Sequence, residues 1–244
     1  MASAAELQLL YKTANAPILP FPFPHFFVQD VFPAGFYDQL QQNLPDPSAL
    51  IPIEQARPVR GYKERFVLEL KGQYLDRIPE NKRVFWRDLS RWLVGGAFMQ
   101  SMLTKFAAQL EQRFGGTAGV EFEDEAMLVE DITNYSLGPH TDAPRKVITF
   151  LFYLPRDRSQ FHLGTSIYVP KDRQFRCAGG PHYQAADFER VATMPFTPNS
   201  LFCFFKTDNS FHGVEPVADP DCRRWLLLFD IYLKQKHSSP AARA

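Results

Sequence analysis

The sequence lacks the features that would place a protein in a membrane, on nucleic acid or in an oxidising compartment. Its three cysteines, Cys177, Cys203 and Cys222, are scattered and form neither a disulfide framework nor a CxxC zinc motif. Its 27 basic residues equal its 27 acidic residues, so there is no basic excess for binding nucleic acid. No apolar run approaches membrane-spanning length, and the first residues do not resemble a signal peptide. We therefore expect a cytoplasmic protein that binds neither nucleic acid nor membranes.

The length and composition fit one globular domain. A chain of 244 residues with 45% hydrophobic and 22% charged residues buries a substantial core. The 23 phenylalanines and 20 prolines indicate an aromatic core built from many short elements. We predict a single domain over residues 1–244, with mostly helical support in 1–120 and a strand-rich core in 121–236. The sequence contains no indication of the oligomeric state.

The first part of the chain contains the helical patterns. Phe36, Leu40 and Leu44 are spaced as on one face of a helix, and further helical blocks cover 84–93 and 98–114. Short strands are expected near 26–31 and 65–70.

From residue 121 the pattern changes to short strands. β-Branched and aromatic runs alternate with turn sequences such as LGP, AGGP and ADPD. Strand-rich sequence without intervening helices predicts an antiparallel double-sheet roll with the earlier helices on one face, an α+β fold. The predicted strands are 127–135, 147–154, 166–169, 201–205 and 225–233, with another starting at the HGV of 212–214.

Two polar side chains precede the apolar strand at 147–154. His140 and Asp142 are separated by one residue, so in an extended segment they project from the same face. An imidazole and a carboxylate are two members of the 2-His-1-carboxylate triad that binds non-heme Fe(II). His212, on a different predicted strand, supplies the third ligand in our interpretation.

The order of these motifs resembles the 2-oxoglutarate/Fe(II)-dependent dioxygenases. The likeness covers residues 125–235 and consists of HTD at 140–142, HGV at 212–214 and an arginine that opens a hydrophobic strand. It implies a double-stranded β-helix, the jelly-roll fold of cupins, with His140, Asp142 and His212 binding Fe(II). It also implies 2-oxoglutarate and O₂ as cosubstrates, and hydroxylation of a C–H bond with release of succinate and CO₂.

The resemblance also implies residues that bind the cosubstrate. In the family an arginine after the distal histidine pairs with the far carboxylate of 2-oxoglutarate, which makes Arg224 the preferred match and Arg223 the alternative. Adjacent strand residues point to opposite faces, so only one of the two enters the barrel. Tyr153 and Tyr135 match aromatic positions that border the pocket in relatives, although packing alone would also explain a tyrosine at either position.

The likeness leaves the substrate open. The Gly-Gly-x-Leu stretch of many relatives is replaced here by LGTSIYVP at 163–170, which argues against the protein-prolyl hydroxylase subgroup. We expect a small-molecule, lipid, sugar or peptidyl substrate. His162 and His182 either contact this substrate or are surface loop histidines, and we favour the second interpretation. Two alternatives stay open: a cupin-like isomerase or lyase that does not use 2-oxoglutarate, and a non-catalytic jelly-roll binding module.

Overall fold

The computed structural model describes residues 3–234, which form two antiparallel sheets and a layer of helices. The predicted core boundary at 236 and the ends of the predicted domain, 1–2 and 235–244, lie outside the described residues. The helices of the described part are α1 (Ala4–Asn15), α2 (Ala34–Gln42), α3 (Ile53–Ala56), α4 (Glu80–Leu93), α5 (Ala97–Lys105) and α6 (Ala107–Phe114). Its strands are β1 (His25–Gln29), β2 (Ile51–Pro52), β3 (Arg65–Glu69), β4 (Phe122–Ile132), β5 (Leu137–His140), β6 (Lys146–Tyr153), β7 (Ser166–Pro170), β8 (Phe188–Thr193), β9 (Ser200–Phe205), β10 (His212–Val214) and β11 (Arg223–Leu233).

The last eight strands form a double-stranded β-helix. The larger sheet has the order β1-β9-β6-β11-β4-β3-β2, and the smaller sheet has the order β5-β10-β7-β8. The chain therefore crosses between the sheets repeatedly as it runs from β4 to β11, and closes them into a flattened barrel. The α+β jelly-roll fold expected from the sequence is confirmed.

The strands at the centre of the larger sheet are buried on both faces. In β6, Phe150 and Phe152 pack against the helices, while Leu151 and Tyr153 point into the barrel. The ring of Phe98, in α5, lies 5.1 Å from the ring of Phe150 and 5.1 Å from that of Phe229 in β11. This explains why these strands read as continuous apolar runs in the sequence.

The N-terminal part contributes strands as well as helices. The expected strands near 26–31 and 65–70 are present as β1 and β3, and with β2 they extend both edges of the larger sheet. The expected helix at 98–114 is divided at Phe106 into α5 and α6. The division of the chain near residue 120 stays a prediction.

Among residues 3–234, no helix combines the length and the apolar composition needed to cross a bilayer.

The aromatic layer between helices and sheet is expected to dominate stability. Phe229 is fully buried, so Phe229→Ala should lower the free energy of unfolding by about 3–5 kcal/mol, since it creates a large cavity. Phe161 is 52% exposed, and Phe161→Ala should change the free energy of unfolding by less than about 0.5 kcal/mol. Guanidinium denaturation of both variants measures the difference, and equal effects would contradict this account of the core.

Candidate metal centre

The two predicted histidine ligands are brought together by strand pairing in the smaller sheet. β5 ends at His140 and β10 begins at His212, and the antiparallel register places these two residues directly opposite each other. Their ring centroids are 4.3 Å apart. Two residues distant in sequence thus become nearest neighbours through one strand pair.

Gly213 permits this close pairing. A Cβ atom built on Gly213 would lie 2.4 Å from the carbonyl oxygen of Leu137 on the facing strand, which is too close for any side chain. Packing therefore requires a glycine next to His212, because a residue without a side chain lets β10 approach β5 this closely.

Asp142 completes the triad from the loop that follows β5. Its Oδ1 lies 4.0 Å from His140 Nε2 and 3.9 Å from His212 Nε2. Thr149 in β6 donates a hydrogen bond of 2.8 Å to Oδ2, which holds the carboxylate in place. One potential ligand atom from each of the three residues lies within 4.8 Å of the other two. The sequence predicted an extended segment through Asp142; the strand ends at His140, yet the two side chains still converge.

The hydrogen bonds of the imidazoles leave their Nε2 atoms available for a metal. Nδ1 of His140 lies 3.0 Å from the carbonyl oxygen of Gly138, and Nδ1 of His212 lies 3.0 Å from that of Ser210. A carbonyl oxygen only accepts, so Nδ1 donates in both rings and Nε2 of the neutral ring carries the lone pair. Such backbone bonds are the usual way in which metal-ligating histidines are oriented.

The site favours the protonation states that bind a metal. Burial, together with the positive potential of the other histidine, lowers the pKa of His140 well below its usual value, and burial also lowers the pKa of His212. Burial alone would raise the pKa of Asp142, but Lys146 and the two histidines hold it well below its usual value. Two neutral imidazoles and one ionised carboxylate are the donor set of a facial iron site, so the residues fit Fe(II).

A cavity of about 470 Å³ opens beside the triad. Lys146 Nζ lies in its wall, 3.6 Å from Asp142 Oδ1 and 3.0 Å from Asp230 Oδ2. Burial raises the pKa of Asp230 to about 6 even though Lys146 is close. Our reading of the sequence missed both residues, although an aspartate inside the apolar strand LLLFDIYL was a signal for Asp230.

Two loops contribute Tyr62 and His182 to the wall of the cavity. The ring of His182 lies 4.7 Å from that of His140, and its Nε2 is hydrogen-bonded to the hydroxyl of Tyr62 at 2.9 Å. His182 is an exposed loop residue, as expected, but it borders the cavity. His162 is exposed and pairs with Asp219 at 2.9 Å, away from the cavity lining.

The two arginines of β11 point to opposite faces. Arg224 is 1% exposed and points into the barrel, where it donates to Asp131 Oδ2 and to the carbonyl oxygen of Leu163, both at 2.6 Å. Arg223 is exposed and pairs with Glu130. The structure therefore places Arg224 inside the barrel, in the register that the sequence favoured.

Both predicted tyrosines are fully buried inside the barrel. The hydroxyl of Tyr153 donates to Thr165 Oγ1 at 2.8 Å and accepts from the Thr165 backbone N–H at 3.1 Å. The hydroxyl of Tyr135 has no hydrogen-bond partner in the part of the chain that the structure describes. Arg65, which the sequence did not single out, lies over the ring of Tyr135 and lines the cavity.

Neither a protein-family profile nor a curated protein sequence matches this chain. Solved structures do match it in three dimensions. A prolyl 4-hydroxylase from Phytophthora capsici has a TM-score of 0.52 at 13% identity, over 98% of this chain and 69% of that one. A prolyl-4-hydroxylase from Pseudomonas putida has a TM-score of 0.50 at 14% identity, over 94% of this chain and 100% of that one. At this level of identity the similarity establishes a shared fold.

Metal binding should depend weakly on pH near neutrality. Because the pKa values of His140 and His212 lie below 6.5, protons compete for these rings only under more acidic conditions. Calorimetric titration with Mn(II) should give nearly constant affinity from about pH 8 to pH 6.5, and weaker binding as the pH falls further. A loss of about fourfold or more between pH 8 and pH 6.5 would contradict this, since protons competing for two rings with the usual pKa of about 6.5 would weaken binding by that much.

The role of Gly213 can be tested separately. Gly213→Ala should weaken Mn(II) binding by about tenfold or more, because it separates the strands that carry the two histidines. Gly35→Ala is the matched control, since an added Cβ there meets no atom within 4 Å. Equal metal affinities of Gly213→Ala and wild type would show that the close strand pairing does not position the ligands.

Proposed function

We propose that this chain is an Fe(II)- and 2-oxoglutarate-dependent dioxygenase. It hydroxylates a C–H bond of a small-molecule, lipid, sugar or peptidyl substrate, and converts 2-oxoglutarate and O₂ into succinate and CO₂. The observation that carries the proposal is the convergence of His140 Nε2, His212 Nε2 and Asp142 Oδ1 beside a cavity in a double-stranded β-helix. Three ligands on one side of a metal leave positions open for the cosubstrate and O₂.

The three residues of the triad would hold the metal ion through one ligand atom each. When bound, iron and 2-oxoglutarate together supply the activation of O₂ that is coupled to oxidative decarboxylation. The protein contributes the ligand atoms, the backbone carbonyls that orient the two imidazoles, and the Thr149 hydroxyl that orients the carboxylate. Asp142 supplies the carboxylate ligand, so the triad has the two imidazoles and one carboxylate of a hydroxylating iron site. Hydroxylation is therefore the expected reaction.

Arg224 is the proposed anchor for the far carboxylate of 2-oxoglutarate. Its burial inside the barrel supports this assignment, and the exposure of Arg223 on the opposite face argues against the alternative. Its Nε and Nη1 already donate to Leu163 and Asp131, so Arg224 offers a carboxylate its positive charge and its remaining N–H groups. Tyr135 provides a hydroxyl that is free to donate, whereas Tyr153 is already bonded to Thr165 and packs beside Arg224 inside the barrel.

The loops over the cavity are proposed to exclude water from the reacting groups. Tyr62 and His182 are hydrogen-bonded to each other beside His140, and Lys146 and Asp230 form a charged pair deeper in the wall. These groups face the space in which a substrate C–H bond must lie next to the metal.

We place this activity in a reducing compartment, with the cytoplasm as the default. All three cysteines are buried free thiols. The balanced charge of the chain supports a small-molecule or peptidyl substrate over nucleic acid.

Formation of succinate tests the proposal. Wild-type protein supplied with Fe(II), ascorbate, O₂ and 2-oxoglutarate should form succinate slowly without any further substrate, and Asp142→Ala and His140→Ala should reduce this to background because the metal is lost. His162→Ala is the control, because His162 is exposed and bound to Asp219. Circular dichroism checks that each variant is folded. Succinate formation that persists in folded Asp142→Ala, or that does not require 2-oxoglutarate, would overturn the proposal.

A further inference from the structure

We infer that Arg65, which lies on a strand outside the double-stranded β-helix, binds the far carboxylate of the 2-oxo acid cosubstrate jointly with Arg224. This inference rests on the proposed function, since it concerns the same cosubstrate. It adds a residue from β3 that the motif order of the catalytic core does not indicate.

Arg65, Asp131 and Arg224 form a row across three neighbouring strands. β3 pairs with β4 so that Arg65 lies opposite Asp131, and β11 pairs with β4 so that Arg224 lies opposite the same aspartate. Residues directly opposite one another share a face of the sheet, and this face points into the barrel. Asp131 accepts bonds of 2.6 and 3.0 Å from Arg65 Nε and Nη2, and one of 2.6 Å from Arg224 Nη1.

The row holds one more positive charge than negative. Two guanidinium groups, which are always protonated, face one carboxylate. The side chains of Asp131 and Arg224 are 0% and 1% exposed, and that of Arg65 is 14% exposed. The neighbouring carboxylate, Glu130, pairs with Arg223 on the other face. A buried charge is unfavourable unless it is paired, so a ligand that brings one carboxylate balances the row.

Arg65 is the cation of the row that reaches the cavity. It lines the same cavity as His140 and Asp142. Arg224 is almost fully covered and uses its Nε for Leu163 and its Nη1 for Asp131. A ligand held at the metal by its 2-oxo acid end therefore meets Arg65 directly, while Arg224 adds its charge from behind Asp131.

Tyr135 belongs to the same site. The guanidinium carbon of Arg65 lies 4.4 Å from the centre of the Tyr135 ring, and the buried Tyr135 hydroxyl has no partner within residues 3–234. A buried hydroxyl without a partner is unfavourable, and a carboxylate oxygen would accept its hydrogen bond. Excess positive charge and an unused donor thus lie side by side next to the metal-binding cavity.

The test compares two 2-oxo acids that differ only at the far end. 2-Oxopentanoate has a methyl group where 2-oxoglutarate has its second carboxylate, so both chelate iron in the same way. Affinities are measured anaerobically on Fe(II)-loaded protein, from the visible metal-to-ligand charge-transfer band. Wild type should bind 2-oxoglutarate at least about tenfold more tightly than 2-oxopentanoate. In Arg65→Met the 2-oxoglutarate affinity should fall by at least about tenfold, with that for 2-oxopentanoate unchanged.

Arg57→Met is the matched control. Arg57 lines the same cavity, but Glu125 and Glu69 already balance its charge, so its removal should leave the preference for 2-oxoglutarate intact. Arg65→Lys keeps the charge but loses Nη1, the guanidinium nitrogen that Arg65 does not use for Asp131, so it should lose several-fold in 2-oxoglutarate affinity alone. That variant provides the same test if Arg65→Met does not fold.

The outcomes separate this inference from the proposed function. The role of Arg65 would be overturned if folded Arg65 variants kept the full preference for 2-oxoglutarate, or if they lost equal affinity for both 2-oxo acids. The dioxygenase proposal would stand in either case. The absence of a band with either 2-oxo acid in wild type would instead remove the proposed function, and this inference with it.

Discussion

The pairing of β10 with β5 is the contact on which the candidate metal centre depends. It places His212 directly opposite His140, and it is possible only because Gly213 leaves room for the facing backbone. A shift of one residue in this register would turn one imidazole to the other face of the sheet. The larger sheet forms the opposite wall of the barrel, and its other face is packed against the helices through a layer of aromatic side chains.

Charge in the barrel is arranged in two groups around one cavity. Near the metal site, Lys146 links Asp142 to Asp230. Further along the larger sheet, Asp131 links Arg65 to Arg224, and these two arginines and one aspartate together carry a net positive charge. Arg224 and Asp230 lie on inward-facing positions of β11, a largely apolar strand, where polar side chains are unfavourable unless they have partners. Burial of so many charged groups is readily understood if the barrel binds a metal ion and an anionic ligand.

The sequence predicted more of the metal centre than of its surroundings. His140, Asp142 and His212 were predicted because a short motif and strand alternation are local properties. The same alternation allowed only one of Arg223 and Arg224 to face the barrel interior, and the family resemblance favoured Arg224. Arg65 and Lys146 could not be found in this way, because their partners Asp131 and Asp230 lie on distant parts of the chain that only the sheet order brings together. β8, with the sequence FERVAT, was missed because Phe188 is its one buried residue and the three residues that follow are exposed, which leaves little apolar pattern. The break between α5 and α6 at Phe106 carries no glycine or proline signal.

The most direct test of the account is a crystal structure of the protein grown anaerobically with Fe(II) and 2-oxoglutarate. Anomalous diffraction at the iron edge should show one iron atom bound by Nε2 of His140, Nε2 of His212 and Oδ1 of Asp142. The electron density for 2-oxoglutarate should run from that iron to the row formed by Arg65 and Arg224. Iron bound by other residues, or 2-oxoglutarate that does not contact the iron, would contradict the central claim that this barrel is a 2-oxoglutarate-dependent iron site.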